Sequence, residues 1–183
     1  MTYQTGQNMI VGLDIGTSKV VALIAEVLPG DELHVVGMGT SPTRGLKKGV
    51  VVDIESTVQS IQQAIDEAQQ LAECHVHSAY VGLAGSHIRS QNSDGSVAIH
   101  NGEVSRKDLE RVLDAAQAVP IAADQRILHT RAQDYIIDKQ EGVRQPLGMS
   151  GVRLEARVHV VTCATNAAQN VEKSVSRCGI ELD

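Results

Sequence analysis

A carboxylate, a glycine, two hydroxyls and an amine follow one another in Asp14-Ile15-Gly16-Thr17-Ser18-Lys19. The preceding run from Met9 to Asp14 is apolar and β-branched, so these groups fall where one strand turns directly into another. At such a tip Gly16 lets the backbone approach a phosphate with no Cβ in the way. The amides of Gly16, Thr17 and Ser18 can converge as an anion nest, and the Thr17 and Ser18 hydroxyls add donors. Asp14 can hold hydrated Mg²⁺ through water, because Mg²⁺ favours one or two carboxylates together with phosphate oxygens. Lys19 can reach a phosphate or, as the first residue of a strand, point elsewhere. On these residues alone the segment is a phosphate loop or a plain hairpin turn. It is not a Walker A loop, since no G-x-x-x-x-G-K-[ST] occurs.

Three further groupings carry polar chemistry. Cys74-His75-Val76-His77 spaces two imidazoles for one side of a strand, as a zinc site or as polar residues in a helix-to-strand connection. The basic stretch Arg44 to Lys48 can touch phosphate or a partner, or simply be a solvated crossover loop. Arg153, Glu155, Arg157 and His159 share one side of an alternating strand, either an interaction surface or a solvated face.

The elements that position these groups are legible. Met9–Asp14, Lys19–Val27 and Leu33–Gly39 read as an antiparallel meander joined by turns at Gly16-Thr17-Ser18 and Pro29-Gly30-Asp31-Glu32. A Gly-punctuated loop, Ser41 to Gly49, leads into a helix capped by Asp53. Ile54, Val58, Ile61, Ile65, Ala68 and Ala72 then recur at spacings of 4, 3, 4, 3 and 4, which sets them on one face. A fourth strand, Ala79 to Ala84, completes a ribonuclease-H-like start. After Gly85 the pattern changes to an inserted α+β unit. Its predicted parts are short β runs at His87–Gln91 and Ser96–His100 around a turn at Asn92-Ser93-Asp94-Gly95. A helix follows, with Ser105 and Asp108 as a capping box and Leu109, Val112, Leu113, Ala116 and Val119 as its apolar face. Two β segments (Arg126–Arg131, Tyr135–Asp138), a Gly/Pro loop from Gln140 to Ser150 and a half-buried strand from Val152 to Val160 come next, with Val152 assigned to its apolar face. A last helix, Asn166 to Cys178, precedes Gly179 as C-terminal cap and Ile180-Glu181-Leu182 as the start of another strand. The fold class is α/β, a ribonuclease-H-like subdomain with a small inserted α+β subdomain.

Composition narrows the function classes. Of 183 residues 42% are hydrophobic and 21% charged, as in ordinary globular domains. With three Tyr and no Phe or Trp, the core is aliphatic and stacking modes of single-strand nucleic-acid binding are disfavoured. Sixteen basic against 22 acidic residues give −6, so no basic field draws in nucleic acid or anionic lipid. Cys74, Cys163 and Cys178 form no CxxC pair and suit a reducing cytoplasm. The polar segment Met1 to Asn8 does not read as a signal peptide.

Val11-Gly12-Leu13-Asp14-Ile15-Gly16-Thr17 resembles the first phosphate loop of the actin/Hsp70/sugar-kinase superfamily. Arg44-Gly45-Leu46-Lys47-Lys48-Gly49-Val50-Val51-Val52-Asp53 resembles the R-G-x-x-x-G-x-V-x-D segment of the FtsA family of bacterial cell-division proteins. Val81 to Ile88 is similar to that family's strand into its inserted subdomain, and Gly148 to Thr162 to the end of that insertion. One departure is Ala132, which stands where such proteins often carry the proline of Pro-Gln-x-Tyr. The resemblance implies an actin-like subdomain 1A, incomplete here, over 1–84 and 166–183, and a subdomain 1C over 85–165. It implies ATP and Mg²⁺ as cofactors, met by Asp14, Gly16, Thr17, Ser18 and Lys19, with Asp14 acting on the metal through water. It further implies at most a weak ATPase in a full-length form, self-association into filaments, and a link between FtsZ and the membrane. Later division proteins would be recruited partly through 1C, where Arg153 and Arg157 are the candidate partner face. The expected place is the cytoplasmic face of the inner membrane at the division site. The family's FtsZ-binding subdomain, its membrane-holding C-terminal helix, its second phosphate loop and its adenosine-contacting motif have no counterpart in this sequence. These 183 residues alone are therefore expected to bind ATP weakly or not at all. A sugar or acetate kinase of the same superfamily is the enzyme alternative, but the insertion argues against it and no catalytic Asp or substrate pocket is located. An Hsp70-like chaperone shares the first loop but lacks such an insertion. A pilus-assembly actin homologue has similar architecture, and the R-G-x-x-x-G-x-V-x-D segment favours division.

Overall fold

The computed structural model describes residues 8–183. The reading of Met1 to Asn8 therefore lies, apart from Asn8, outside the described residues. The chain divides into two compact units, one ending at His87 and resuming over Asn166–Asp183, the other formed by Ile88–Thr165.

In the first unit β1 (Met9–Ile15), β2 (Lys19–Leu28) and β3 (Glu32–Pro42) form the predicted meander. A short hairpin of β4 (Leu46–Lys47) and β5 (Val50–Val51) precedes α1 (Ile54–Ala72). The chain then crosses to β6 (Ser78–Gly82), parallel to β1. Helix α3 (Thr165–Ser176) leads to β11 (Glu181–Leu182), parallel to β6, so the sheet order is β11-β6-β1-β2-β3. Alternate residues Val11, Leu13, Ile15, Val20, Ala22 and Ile24 form one core with Ile61, Ala64 and Ile65 of α1 and Val171 and Val175 of α3. This is the expected ribonuclease-H-like, actin-like arrangement.

Helix α1 buries most of the face its apolar spacing predicts, with Ile54 and Ala72 packed against the core, but the buried face is wider than that spacing indicates. Thr57, Ser60 and Ala64 are buried with Ile61, Ile65 and Ala68, whereas Val58 is half-buried. The reason is close packing on β3. A Cβ on Gly39 would lie 1.9 Å from the Ala64 carbonyl oxygen, and one on Gly37 2.4 Å from that of Ala68. Small residues meet glycines, and the helix settles lower than larger side chains permit. The buried hydroxyls are satisfied: Thr57 Oγ1 donates to the Asp53 carbonyl at 2.7 Å and Ser60 Oγ to the Pro42 carbonyl at 3.1 Å.

The second unit pairs β7 (Ile88–Ala98), β8 (Gln125–Ile137), β9 (Gln140–Val143) and β10 (Arg153–Ala164) in the order β7-β10-β8-β9, with α2 (Arg106–Gln117) beside them. Several expectations need correction here. The predicted turn at Asn92-Ser93-Asp94-Gly95 is continuous strand, paired with β10 from Ile88↔Cys163 to Ala98↔Arg153. Gly95 serves packing rather than a turn, since a Cβ there would lie 2.4 Å from both the Val112 carbonyl oxygen and the Ala116 nitrogen of α2. The two β segments after α2 are one strand, β8, whose pairing with β10 shifts twice. One shift skips Gln133, immediately after Ala132, so the strand carries a bulge at this point. The predicted loop from Gln140 begins as β9, folded back on β8 through a turn with Asp138 at φ 55. Val152 precedes β10 and is 74% exposed, so it does not belong to the inner face of Leu154, Ala156, Val158 and Val160. The capping box is as predicted: the Asp108 N–H donates to Ser105 Oγ, and Asp108 Oδ2 accepts from the Ser105 N–H at 3.0 Å.

Two stability predictions follow from this packing. Gly39→Ala should cost about 1–3 kcal/mol, the range for forcing extra volume into a packed contact. Gly12→Ala, whose added Cβ would meet nothing within 4 Å, should change stability little. Urea midpoints that fall equally for both would contradict the close approach. The second prediction concerns Asp108, only 2% exposed, whose carboxyl is held below its ordinary range by the Ser105 hydroxyl and N–H, with help from His100 and Arg111. A lowered native value means that its contribution is present above the unfolded value of about 3.9 and is lost as pH falls through the native one. Unfolding free energy should therefore drop more steeply between about pH 5 and about pH 3 in the wild type than in Asp108→Asn; equal slopes would refute it.

Candidate functional site

The tip Gly16-Thr17-Ser18 lies just beyond β1, at the carboxyl ends of the parallel strands β1 and β6, where Asp14 pairs with Gly82. In open α/β sheets this is where ligands bind. Asp14 is exposed and has no hydrogen-bond or ion-pair partner among the described residues. Lys19 also is exposed, and it falls on the same sheet face as Val21, the cross-strand partner of Asp14. Lys19 and Asp14 thus share a face.

The three-amide nest is corrected by the geometry. Gly16 N–H donates to the Lys19 carbonyl at 3.1 Å and closes the hairpin, so it does not face an anion. Glycine is needed there for a local reason as well, because a Cβ would stand 2.9 Å from the Lys19 carbonyl oxygen. The amides of Thr17 and Ser18 remain without partners among the described residues.

A second layer, Thr43 to Asp53, holds this tip. Thr43 Oγ1 donates to the Gly16 carbonyl at 2.7 Å, and Thr43 N–H to the Ser18 carbonyl at 3.1 Å. Gly49 N–H donates to Thr17 Oγ1 at 3.1 Å. The strap is tied in turn to α1: Ser60 Oγ accepts the Arg44 N–H at 3.0 Å, and the Gly45 carbonyl accepts the N–H groups of Val52 and Asp53 at 2.8 and 3.1 Å. Asp53 caps α1, accepting from the Ser56 N–H at 3.2 Å and from Ser56 Oγ at 2.6 Å, and these bonds hold its carboxyl below the ordinary range.

The two glycines of the strap have physical roles. Gly45 (φ 86) would place a Cβ 2.3 Å from the Asp53 carbonyl oxygen, and Gly49 (φ 78) would place one 2.2 Å from that of Ala84. Lys48 and Gly49, both at positive φ, form the two-residue turn between β4 and β5. The stretch Arg44–Lys48 is therefore built into the unit and is not merely a solvated loop. Thr43 and Gly49 are the contacts that residue-by-residue reading missed. The glycine spacing signalled a constrained segment, but not its target 32 residues away.

The other groupings fall as follows. Cys74 is buried, and desolvation raises its thiol pKa, whereas His75 and His77 are exposed in the connection between α1 and β6. Arg153 lies 3.1 Å from Glu155 and donates to Ser96 Oγ at 2.9 Å. Arg157 lies 3.5 Å from Asp134 and 3.3 Å from Glu141. The two arginines share one face of the second sheet, each neutralised by its neighbours. No helix among the described residues is long and apolar enough to cross a membrane.

Comparison with known proteins adds to this geometry. A family model described as "SHS2 domain inserted in FTSA" matches residues 85–162. The chain is 73% identical to the cell division protein FtsA of Pseudomonas aeruginosa over 180 residues, 98% of this chain and 43% of that protein. It is 45% identical to the cell division protein FtsA of Escherichia coli K12 over 183 residues, 100% of this chain and 44% of that protein. The chain thus spans less than half the length of these curated relatives. A solved chain of the "PilM-PilN type IV pilus biogenesis complex" superposes with a TM-score of 0.63 at 16% identity, covering 94% of this chain and 45% of that one, a likeness of fold. Over the stretch that it spans, this chain is similar to FtsA cell division proteins, and its residues 85–162 match the SHS2 domain inserted in them.

Proposed function

We propose that this chain is part of an actin-like cell-division protein, with its first unit forming one wall of a nucleotide cleft and its second a surface for other division proteins. The observation that carries this reading is the braced tip Asp14–Lys19 at the carboxyl ends of β1 and β6, in a chain similar to FtsA cell division proteins. Thr17 and Ser18 supply free amides and hydroxyls for phosphate oxygens, and Lys19 supplies a cation on the face it shares with Asp14. Asp14, exposed and without a partner among the described residues, would hold hydrated Mg²⁺ through water, and that ion would offset the negative charge of the ATP phosphates. Gly16 shapes the turn that presents them. The units correspond to the family's subdomains 1A (1–84 and 166–183) and 1C (85–165). In a full-length form the protein would self-associate with ATP bound, work at the cytoplasmic face of the membrane at the division site, and engage FtsZ and later division proteins. Arg153 and Arg157 lie on the candidate partner face of 1C, where a partner would exchange its own charges for their present carboxylate neighbours.

Titration of the 183-residue chain with a labelled nucleotide and Mg²⁺, followed by anisotropy, should give no saturable binding at micromolar concentration, as for half of a cleft. In a full-length form Asp14→Ala should weaken MgATP binding about tenfold while leaving metal-free nucleotide binding nearly unchanged. Equal MgATP affinity would remove Asp14 from the site. Charge reversal at both Arg153 and Arg157 should reduce recruitment of late division proteins without unfolding the second unit. Intact recruitment together with intact filaments would rule out that face.

A further inference from the structure

We propose that Thr43 is a positioning residue for the phosphate loop, its hydroxyl orienting the Thr17 N–H toward a phosphate oxygen; this rests on the nucleotide reading above. The Gly16 residue is held at both of its polar atoms. Its N–H is taken by the Lys19 carbonyl at 3.1 Å, and its carbonyl accepts the Thr43 hydroxyl at 2.7 Å. The described chain contains no cis peptide bond, so the Thr17 N–H points opposite to the Gly16 carbonyl. Anchoring that carbonyl on Thr43 therefore turns the Thr17 N–H away from the strap. The Thr43 N–H secures the far side of the tip at the Ser18 carbonyl, 3.1 Å away, and Gly49 N–H engages Thr17 Oγ1 at 3.1 Å. Gly49 occupies one of the two lone pairs of Thr17 Oγ1, and the hydroxyl proton has no acceptor among the described residues.

The strap thus does before binding what a flexible hairpin tip would have to do during it, and the ordering cost is met in folding. Thr43 reaches 27 residues back along the chain to do this and is itself fixed by its neighbours: Pro42 and Arg44 are both bonded to Ser60 of α1. Removing only the hydroxyl leaves the Thr43 N–H bond to Ser18 in place. Thr43→Val is nearly isosteric and isolates the one interaction, and Thr43→Ser restores the donor.

The test uses a full-length form of the protein, with a labelled ATP analogue, Mg²⁺ and adenosine as probes. Thr43→Val should weaken MgATP binding roughly fivefold, as expected for one lost or misdirected hydrogen bond, and Thr43→Ser should bind within about twofold of wild type. Affinity for adenosine, which has no phosphate, should be the same in all three. In the absence of ligand, deuterium uptake across the tip should be faster in Thr43→Val than in wild type or Thr43→Ser. If Asp14→Ala weakens MgATP binding and Thr43→Val does not, the phosphate site stands and the role of Thr43 is overturned. If neither substitution changes MgATP affinity, the phosphate reading itself falls and this inference with it. An equal loss for MgATP and adenosine in Thr43→Val, not rescued by serine, would mark a general structural defect and also overturn it.

Discussion

Helix α1 lies so close to β3 that no side chain fits between them at two positions, and the arrangement of the first unit depends on that contact. Gly37 and Gly39 present bare backbone to Ala64, Ala68 and Ala72. A helix lowered in this way brings its hydroxyl-bearing side within reach of the chain leaving β3. Ser60, Thr57 and Gln63 then bond to the segment Ser41–Arg44 at distances between 3.0 and 3.4 Å. Glu67 covers one free N–H of the sheet edge, at Thr40, with a 2.7 Å bond. Larger residues at the glycines would lift the helix and break each of these bonds.

The phosphate-loop candidate inherits its geometry from this stack. Its tip is held by Thr43 and Gly49, the strap that contains them is held by α1, and the start of α1 is fixed by the Asp53 cap and the Gly45 carbonyl. Few of these links are strong alone, since a neutral hydrogen bond contributes about 1 kcal/mol net. Their effect lies in direction. Each removes one way for the tip to turn, and together they leave the Thr17 and Ser18 amides and the Asp14 carboxylate free of partners within the described residues.

The second unit repeats the packing device with different surroundings. Gly95 admits Val112 and Ala116 of α2 to the sheet as Gly37 and Gly39 admit α1. Its far face carries ion pairs in place of a second layer: Arg153 with Glu155, and Arg157 with Asp134 and Glu141. Exposed pairs of this kind add little stability, typically below about 1 kcal/mol each.

Local signals in the sequence determined the meander, the α1 and α2 caps, the crossover to a parallel fourth strand and the turn at Gly16–Ser18. These depend on near neighbours: period-2 and period-3.6 burial, a carboxylate three residues before the amide it caps, a glycine in a tight turn. Asn92–Gly95 and Gln140–Val143 misled because turn-forming residues are also tolerated in strands when a partner strand runs alongside, as β10 does along the whole of β7 and β8 does beside β9. Gly95 looks the same in sequence whether it bends the chain or makes room for a helix. Tertiary structure alone decided that the glycines of β3 receive α1, that Thr43 and Gly49 hold a loop 27 and 32 residues away, and that Arg153 and Arg157 are already paired. Such contacts depend on distances between segments remote in the chain, and no local pattern encodes those distances.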